Sequence, residues 1–125
     1  MVPTPLFSRS DARPGYRDVP PLVALDHVGA LRVVDVREPD EFVGPLGHLR
    51  GADLVPLSTL ADAATTWDRQ APILLICRSG VRSARAATLL AGMGFRNLFN
   101  LVGGMLAWEA SALPVLRSDG PAVGA

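Results

Sequence analysis

Two short apolar runs, "LRVVDV" at 31–36 and "ILLI" at 73–76, are rich in branched side chains, and each stops at a polar cluster. Apolar runs of this length without polar alternation belong to strands buried on both faces, as in parallel sheets. From Val81 to Ala91 the period changes. Ala84, Ala87, Thr88 and Ala91 recur at helical spacing, and Gly92 and Gly94 follow as stop signals, which predicts a helix of about three turns. "NLFNLVGGMLAWEAS" at 97–111 repeats the scheme, with a short strand to Leu101, a turn at Gly103-Gly104 and a helix from near Met105. A weaker helix is expected over residues 20–30 and another over 57–66. Strands alternating with helices predict an α/β domain with a mainly parallel sheet covered on both faces, in which ligands bind beyond the carboxyl ends of the strands. Residues 1–14, with three prolines and no regular period, are expected to be a loose extension; 15–117 form the domain and 118–125 a tail.

Composition narrows this picture. A chain of 125 residues, 49% apolar and 19% charged, has the size and balance of one folded domain. Twelve basic and twelve acidic side chains cancel, so no overall field draws the protein to nucleic acid or an anionic membrane, and any anion site must be local. No apolar run approaches the roughly 20 residues of a membrane span. The amino-terminal stretch lacks the basic start and apolar segment of a secretory signal, so a cytoplasmic location is expected. One cysteine excludes an internal disulfide and fits a reducing compartment.

That cysteine, Cys77, stands at the end of "ILLI", and Arg78, Ser79, Gly80, Val81 and Arg82 lead into the helix, with Ser83 placed to cap or enter it. A loop of this kind can curl into a cup of backbone N–H groups, with Gly80 supplying the backbone freedom, and so form an anion site. The helix N-terminus and the guanidinium groups of Arg78 and Arg82 would favour thiolate over thiol. The alternative is a small buried hydrophobe that happens to precede a polar loop.

"CRSGVRS" resembles the six-residue active loop of the rhodanese-like (sulfurtransferase) domain family, which begins with the catalytic cysteine. "VVDVREPDEF", "GHLRGADLVPL" and "NLVGGMLAW" are similar to that family's other signatures and occur in its order across residues 31–108. Two departures are visible. The spacer "VGPL" at Val43–Leu46 is longer than in many members, and Arg50 stands where proline is common. The resemblance implies a compact fold with a central parallel sheet of about five strands. It further implies a two-step transfer, in which Cys77 takes the outer sulfur of a donor such as thiosulfate as a persulfide and a thiophilic acceptor removes it. The expected partners are a small anionic sulfur donor and a thiol, cyanide or protein acceptor; no cofactor is required. Arg78 and Arg82 would hold the donor's sulfonate, and the N–H cup would receive the anionic sulfur.

In the resembled family the aspartate and arginine matching Asp35 and Arg37 brace neighbouring loops, and an ion pair of Arg37 with Glu41 is expected here. A structural hydrogen bond is the expectation for His48, and core packing for Trp67, Trp108, Met93 and Met105. The cysteine and two distant histidines have no metal-ligand spacing. Gly103-Gly104 reads as a helix start rather than a phosphate-binding turn. Cysteine phosphatases carry Cys-x5-Arg, whereas Cys77 to Arg82 is Cys-x4-Arg, a smaller cup that suits sulfur better than phosphate. A reactive cysteine in such a loop is also compatible with a non-turnover persulfide carrier, a redox-sensing module or an arsenate reductase.

Overall fold

A computed structural model describes residues 2–117; the expected tail at 118–125 lies outside the described residues. The strands are β1 (Asp11–Arg13), β2 (Tyr16–Val19), β3 (Arg32–Asp35), β4 (Asp53–Leu54), β5 (Ile73–Ile76) and β6 (Leu98–Leu101). They form one sheet in the order β1-β2-β6-β5-β3-β4, parallel throughout except for the β1–β2 pair. The helices are α1 (Thr4–Ser8), α2 (Pro21–His27), α3 (Pro39–Phe42), α4 (Leu60–Ala63), α5 (Val81–Gly92) and α6 (Gly104–Ala110). The expected helix at 57–66 is α4 between two short 3-10 turns, and the one at 20–30 is α2 followed by another. Among the described residues no helix is long and apolar enough to cross a membrane.

Pleating divides β5 between two cores. Ile73 and Leu75 join Val34, Leu98 and the α5 residues Ala86, Ala87 and Leu90 on one face. Leu74 and Ile76 join Val33, Phe99, α2 and the α6 residues Met105 and Trp108 on the other. Cys77 continues the phase of Ile73 and Leu75, so its side chain lies on the α5 face.

The buried stripe of α5 differs from the expected one. Ser83, Ala86, Ala87 and Leu90 are buried, whereas Thr88 is exposed and Ala84 and Ala91 are half-buried. Both sets have helical spacing. The helix starts at Val81 after Gly80 at φ 99°, and the observed phase turns the larger Leu90 inward.

The first fourteen residues are not a loose extension. They carry α1 and β1, and β1 and β2 form a hairpin about Pro14-Gly15, with Gly15 at φ 85°. β2 then pairs with β6, setting Asp18 opposite Asn100, so this segment extends the sheet past the expected number of strands. Leu6 has no exposed surface, and Arg17 bonds Ser10 while lying 4.2 Å over the Phe7 ring. Apolar burial and backbone pairing together hold the segment. Leu6→Ala is therefore expected to lower the unfolding free energy by about 2–4 kcal/mol in urea titrations. A loss below about 0.5 kcal/mol would mean that this segment stands apart from the core.

Candidate functional site

β5 is central in the sheet, and Cys77 follows its last residue with no exposed surface. α5 begins at Val81, as its periodicity predicts, so Val81 and Arg82, which also lead out of the cysteine loop, belong to its first turn. Gly80, not Ser83, is the N-cap, and no side chain caps the helix. The Gly80 N–H donates to Cys77 Sγ at 3.0 Å. A Cβ on Gly80 would lie 3.2 Å from the Gly103 nitrogen, so the turn packs closely on the segment after β6. Arg78, Ser79 and Val81 are exposed around this turn.

The second support comes from α6. Its Met105 and Leu106 N–H groups donate to the carbonyls of Cys77 and Arg78, at 2.9 and 3.0 Å. Helix N-termini carry N–H groups without intrahelical partners, and here two of them hold the cysteine loop. Gly104 makes this approach possible: at φ 57°, its Cβ would lie 2.5 Å from both carbonyl oxygens. The Gly-Gly pair begins a helix, as its sequence suggests, but its contact with the cysteine loop has no signature in residue spacing.

Two ion pairs fix the surrounding elements. Arg37, 1% exposed, donates from Nε and Nη2 to the Asp35 carboxylate at 2.8–3.2 Å. It also bonds the carbonyls of Gly47 at 2.8 Å and Glu41 at 3.2 Å. The longer Val43–Leu46 spacer closes through Gly44 N–H to Glu41 C=O and Gly47 N–H to Gly44 C=O, at 3.1 and 3.0 Å. Asp35 and Arg37 thus brace the segment after β3.

The expected Arg37–Glu41 ion pair is not formed. The Glu41 carboxylate accepts two bonds from Arg82, at 2.6 and 2.7 Å, while its Oε1 also accepts the Glu38 N–H at 3.0 Å. This capping contact at the start of α3 turns Glu41 toward α5, and Asp35 is left to neutralise the buried Arg37. Arg82 chiefly holds the Glu41 carboxyl down at about 2 from an ordinary 4.5, with burial opposing and the Glu38 N–H assisting. His48 has the expected structural role: Nδ1 meets the Phe42 carbonyl at 2.9 Å, and its ring stacks on Phe42. Trp108 and Met105 are core residues, and Trp67 and Met93 pack at the edge of the α5-side core.

One site residue has no counterpart among those expected from the sequence. Asn100, 5% exposed, bonds Ser83 Oγ through Oδ1 at 2.5 Å and Asp18 Oδ1 through Nδ2 at 3.0 Å. Ser83 Oγ in turn lies 3.3 Å from Cys77 Sγ. A lone amide inside the apolar strand "LFNL" was the available signal.

These features define a parallel α/β domain that presents a buried thiol at the carboxyl end of its central strand. The rhodanese-like domain model matches residues 21–111, and the chain belongs to that family. It is 42% identical over 77 residues to YqhL of Bacillus subtilis, itself uncharacterized; the match spans 62% of this chain and 60% of that protein. It is 35% identical over 99 residues to the thiosulfate sulfurtransferase GlpE of Pseudomonas putida, spanning 77% and 87% of the two chains. The crystal structure of a rhodanese-related protein from Thermoplasma volcanium superposes with a TM-score of 0.73 at 29% identity, covering 81% of this chain and 98% of that one.

Two outcomes follow from the contacts around the loop. Gly104→Ala is expected to cost at least about 1–2 kcal/mol in chemical denaturation, from the left-handed backbone alone, and to change the alkylation rate of Cys77 by moving its carbonyl. An unchanged rate and stability would remove Gly104 from this role. The carboxyl of Glu41 is lowered on folding, so its contribution to stability is full above pH 4.5 and disappears as pH falls through about 2. Glu41→Gln should therefore be less stable than wild type by about 1 kcal/mol at pH 6, with the gap closing toward pH 2 in urea titrations.

Proposed function

We propose that the protein is a sulfurtransferase that moves a sulfane sulfur from an anionic donor, thiosulfate or a persulfide or polysulfide, through a Cys77 persulfide to a thiophilic acceptor. The observation that carries this reading is the sulfur's position: Cys77 directly follows β5, receives the Gly80 N–H at 3.0 Å and adjoins the start of α5. Relatives named thiosulfate sulfurtransferase support it.

In the first step the Cys77 thiolate attacks the outer sulfur of thiosulfate. A sulfur–sulfur bond forms to Cys77 as the donor's own breaks, and sulfite leaves with the bonding electron pair. In the second step the acceptor attacks the outer persulfide sulfur and the Cys77 thiolate departs. A thiolate needs no base beside it, and donor, cysteine and acceptor complete the cycle without a cofactor. The Gly80 N–H and the first turn of α5, Val81 and Arg82, supply partial positive charge where anionic sulfur develops. Arg78, exposed on the loop with Ser79, is the arginine free to draw in the donor, because Arg82 is held by Glu41. Ser83 adjoins the sulfur, and Asp35 and Arg37 hold the neighbouring segment after β3. The four-residue interval between Cys77 and Arg82 disfavours phosphatase chemistry. Free-thiol chemistry suits a reducing cytoplasm, to which we assign the protein.

A carrier reading, in which the persulfide passes only to a dedicated protein, draws support from the burial of Cys77. Reduced protein incubated with thiosulfate should gain the mass of one sulfur atom on Cys77 and release one sulfite, and Cys77→Ser should do neither. Full sulfur transfer to cyanide by Cys77→Ser would refute the mechanism. Stoichiometric loading followed by slow transfer to every small acceptor would favour the carrier.

A further inference from the structure

We propose that Asn100 is a positioning residue for Cys77: it holds the Ser83 hydroxyl proton, so that Ser83 turns a lone pair rather than a donor toward the sulfur. The orientation of the Asn100 amide follows from its neighbours. Nδ2 faces Asp18 Oδ1 at 3.0 Å and the Gly80 carbonyl at 3.4 Å, both acceptors. Reversing the amide would set oxygen against a carboxylate and a carbonyl. Asp18 is the register partner of Asn100, and its other oxygen is held by Arg13 Nε at 2.9 Å, so this end of the chain of contacts is anchored.

Asn100 Oδ1 must then be the atom facing Ser83 Oγ. Two oxygens 2.5 Å apart require a proton between them, and only the hydroxyl has one to give. Sγ lies farther from that hydroxyl, at 3.3 Å, and already receives the Gly80 N–H. Turning the hydroxyl proton to sulfur would leave two buried oxygens in close contact, with Asn100 Oδ1 losing this donor. The sulfur therefore has a donor on its Gly80 side and an acceptor on its Ser83 side. A thiol proton points to Ser83, and negative charge is accommodated toward Gly80. Where Cys77 carries a persulfide, a step that rests on the sulfur-transfer reading, this asymmetry directs the anionic outer sulfur toward the loop.

The common expectation for a serine beside a reactive thiol is the reverse, a hydroxyl that donates to the thiolate. The pH profile of Cys77 alkylation by iodoacetamide separates the two, because the rate follows the thiolate fraction. Full-length reduced wild type, Ser83→Ala, Asn100→Leu and the double variant are compared. The charged groups around the sulfur are the same in all four: Arg82 with Glu41, Arg37 with Asp35, Asp18 with Arg13, and Arg78 on the loop. Ser83→Ala is expected not to raise the midpoint. Asn100→Leu frees the hydroxyl to donate to sulfur and should lower the midpoint by about one pH unit, an effect absent from the double variant, which should match Ser83→Ala. A rise of about one unit in Ser83→Ala overturns the proposal. So does an unshifted Asn100→Leu, or a double variant whose midpoint lies about one unit below that of Ser83→Ala. If Asn100→Leu fails to fold, Ser83→Ala alone decides, since a rise and no rise support opposite readings. Alkylation needs no sulfur donor, so its outcome stands apart from whether the protein transfers sulfur.

Discussion

The cysteine loop depends on two sets of backbone groups satisfying each other. A chain leaving a buried strand carries carbonyls that the sheet no longer pairs, and a helix N-terminus carries N–H groups that its own turns cannot pair. Here the Ile76 carbonyl is the last one taken by the sheet side, through Val36 N–H, and those of Cys77 and Arg78 pass to Met105 and Leu106. Each element supplies what the other lacks. The match demands contact between backbones, which is why Gly104 faces the loop and Gly80 packs against Gly103. The position of the sulfur is therefore set by β5 behind it, α5 ahead of it and α6 beside it.

Charge around the sulfur is organised by division of labour among three arginines. Arg37 is too deeply buried to remain unpaired, and the Asp35 carboxylate plus two carbonyls meet its donors. Its contribution is placement of the segment after β3 rather than attraction of an anion. Arg82 lies on α5 and reaches across to Glu41 on α3, joining the two loops at the carboxyl end of the sheet. Both guanidinium groups are engaged by carboxylates of this chain, whereas Arg78 is exposed. On the proposed function, the positive character that meets an anionic donor then comes from backbone N–H groups and from Arg78. A protein of zero formal net charge can present such a site because the field is local.

The parts of this arrangement legible in the sequence are those that repeat a local rule. "ILLI" and "LRVVDV" declared buried strands, and Gly92 and Gly103-Gly104 declared helix ends and starts. The phase of α5 was not legible, because alanines on neighbouring faces make two stripes of equal spacing, and only docking selects Leu90. The amino-terminal hairpin was obscured by prolines, although Pro14-Gly15 was itself a turn signal. The pairing of Arg82 with Glu41 depends on how α3 caps itself, a contact 41 residues apart in the chain. Asn100 reaches Ser83 only after β6 has been laid beside β2 and β5. Local chemistry was readable, and its partners across the sheet were not.

The burial of Cys77 and the sulfur transfer proposed for it rest on the same packing. Its side chain continues the apolar phase of Ile73 and Leu75 and packs with Val36, Ala86 and Ala87, as a small hydrophobe would. That packing confines the sulfur more firmly than an exposed loop position could. A thiol held in this way has fixed neighbours: the core fills one side, and Ser83, committed to Asn100, occupies another. The Gly80 N–H meets the sulfur on the side of the turn that carries the exposed Arg78, and no surface of Cys77 is left open. Burial here acts on orientation: on the proposed sulfur-transfer reading, the residues that make Cys77 part of the core also set the line along which a donor sulfur approaches.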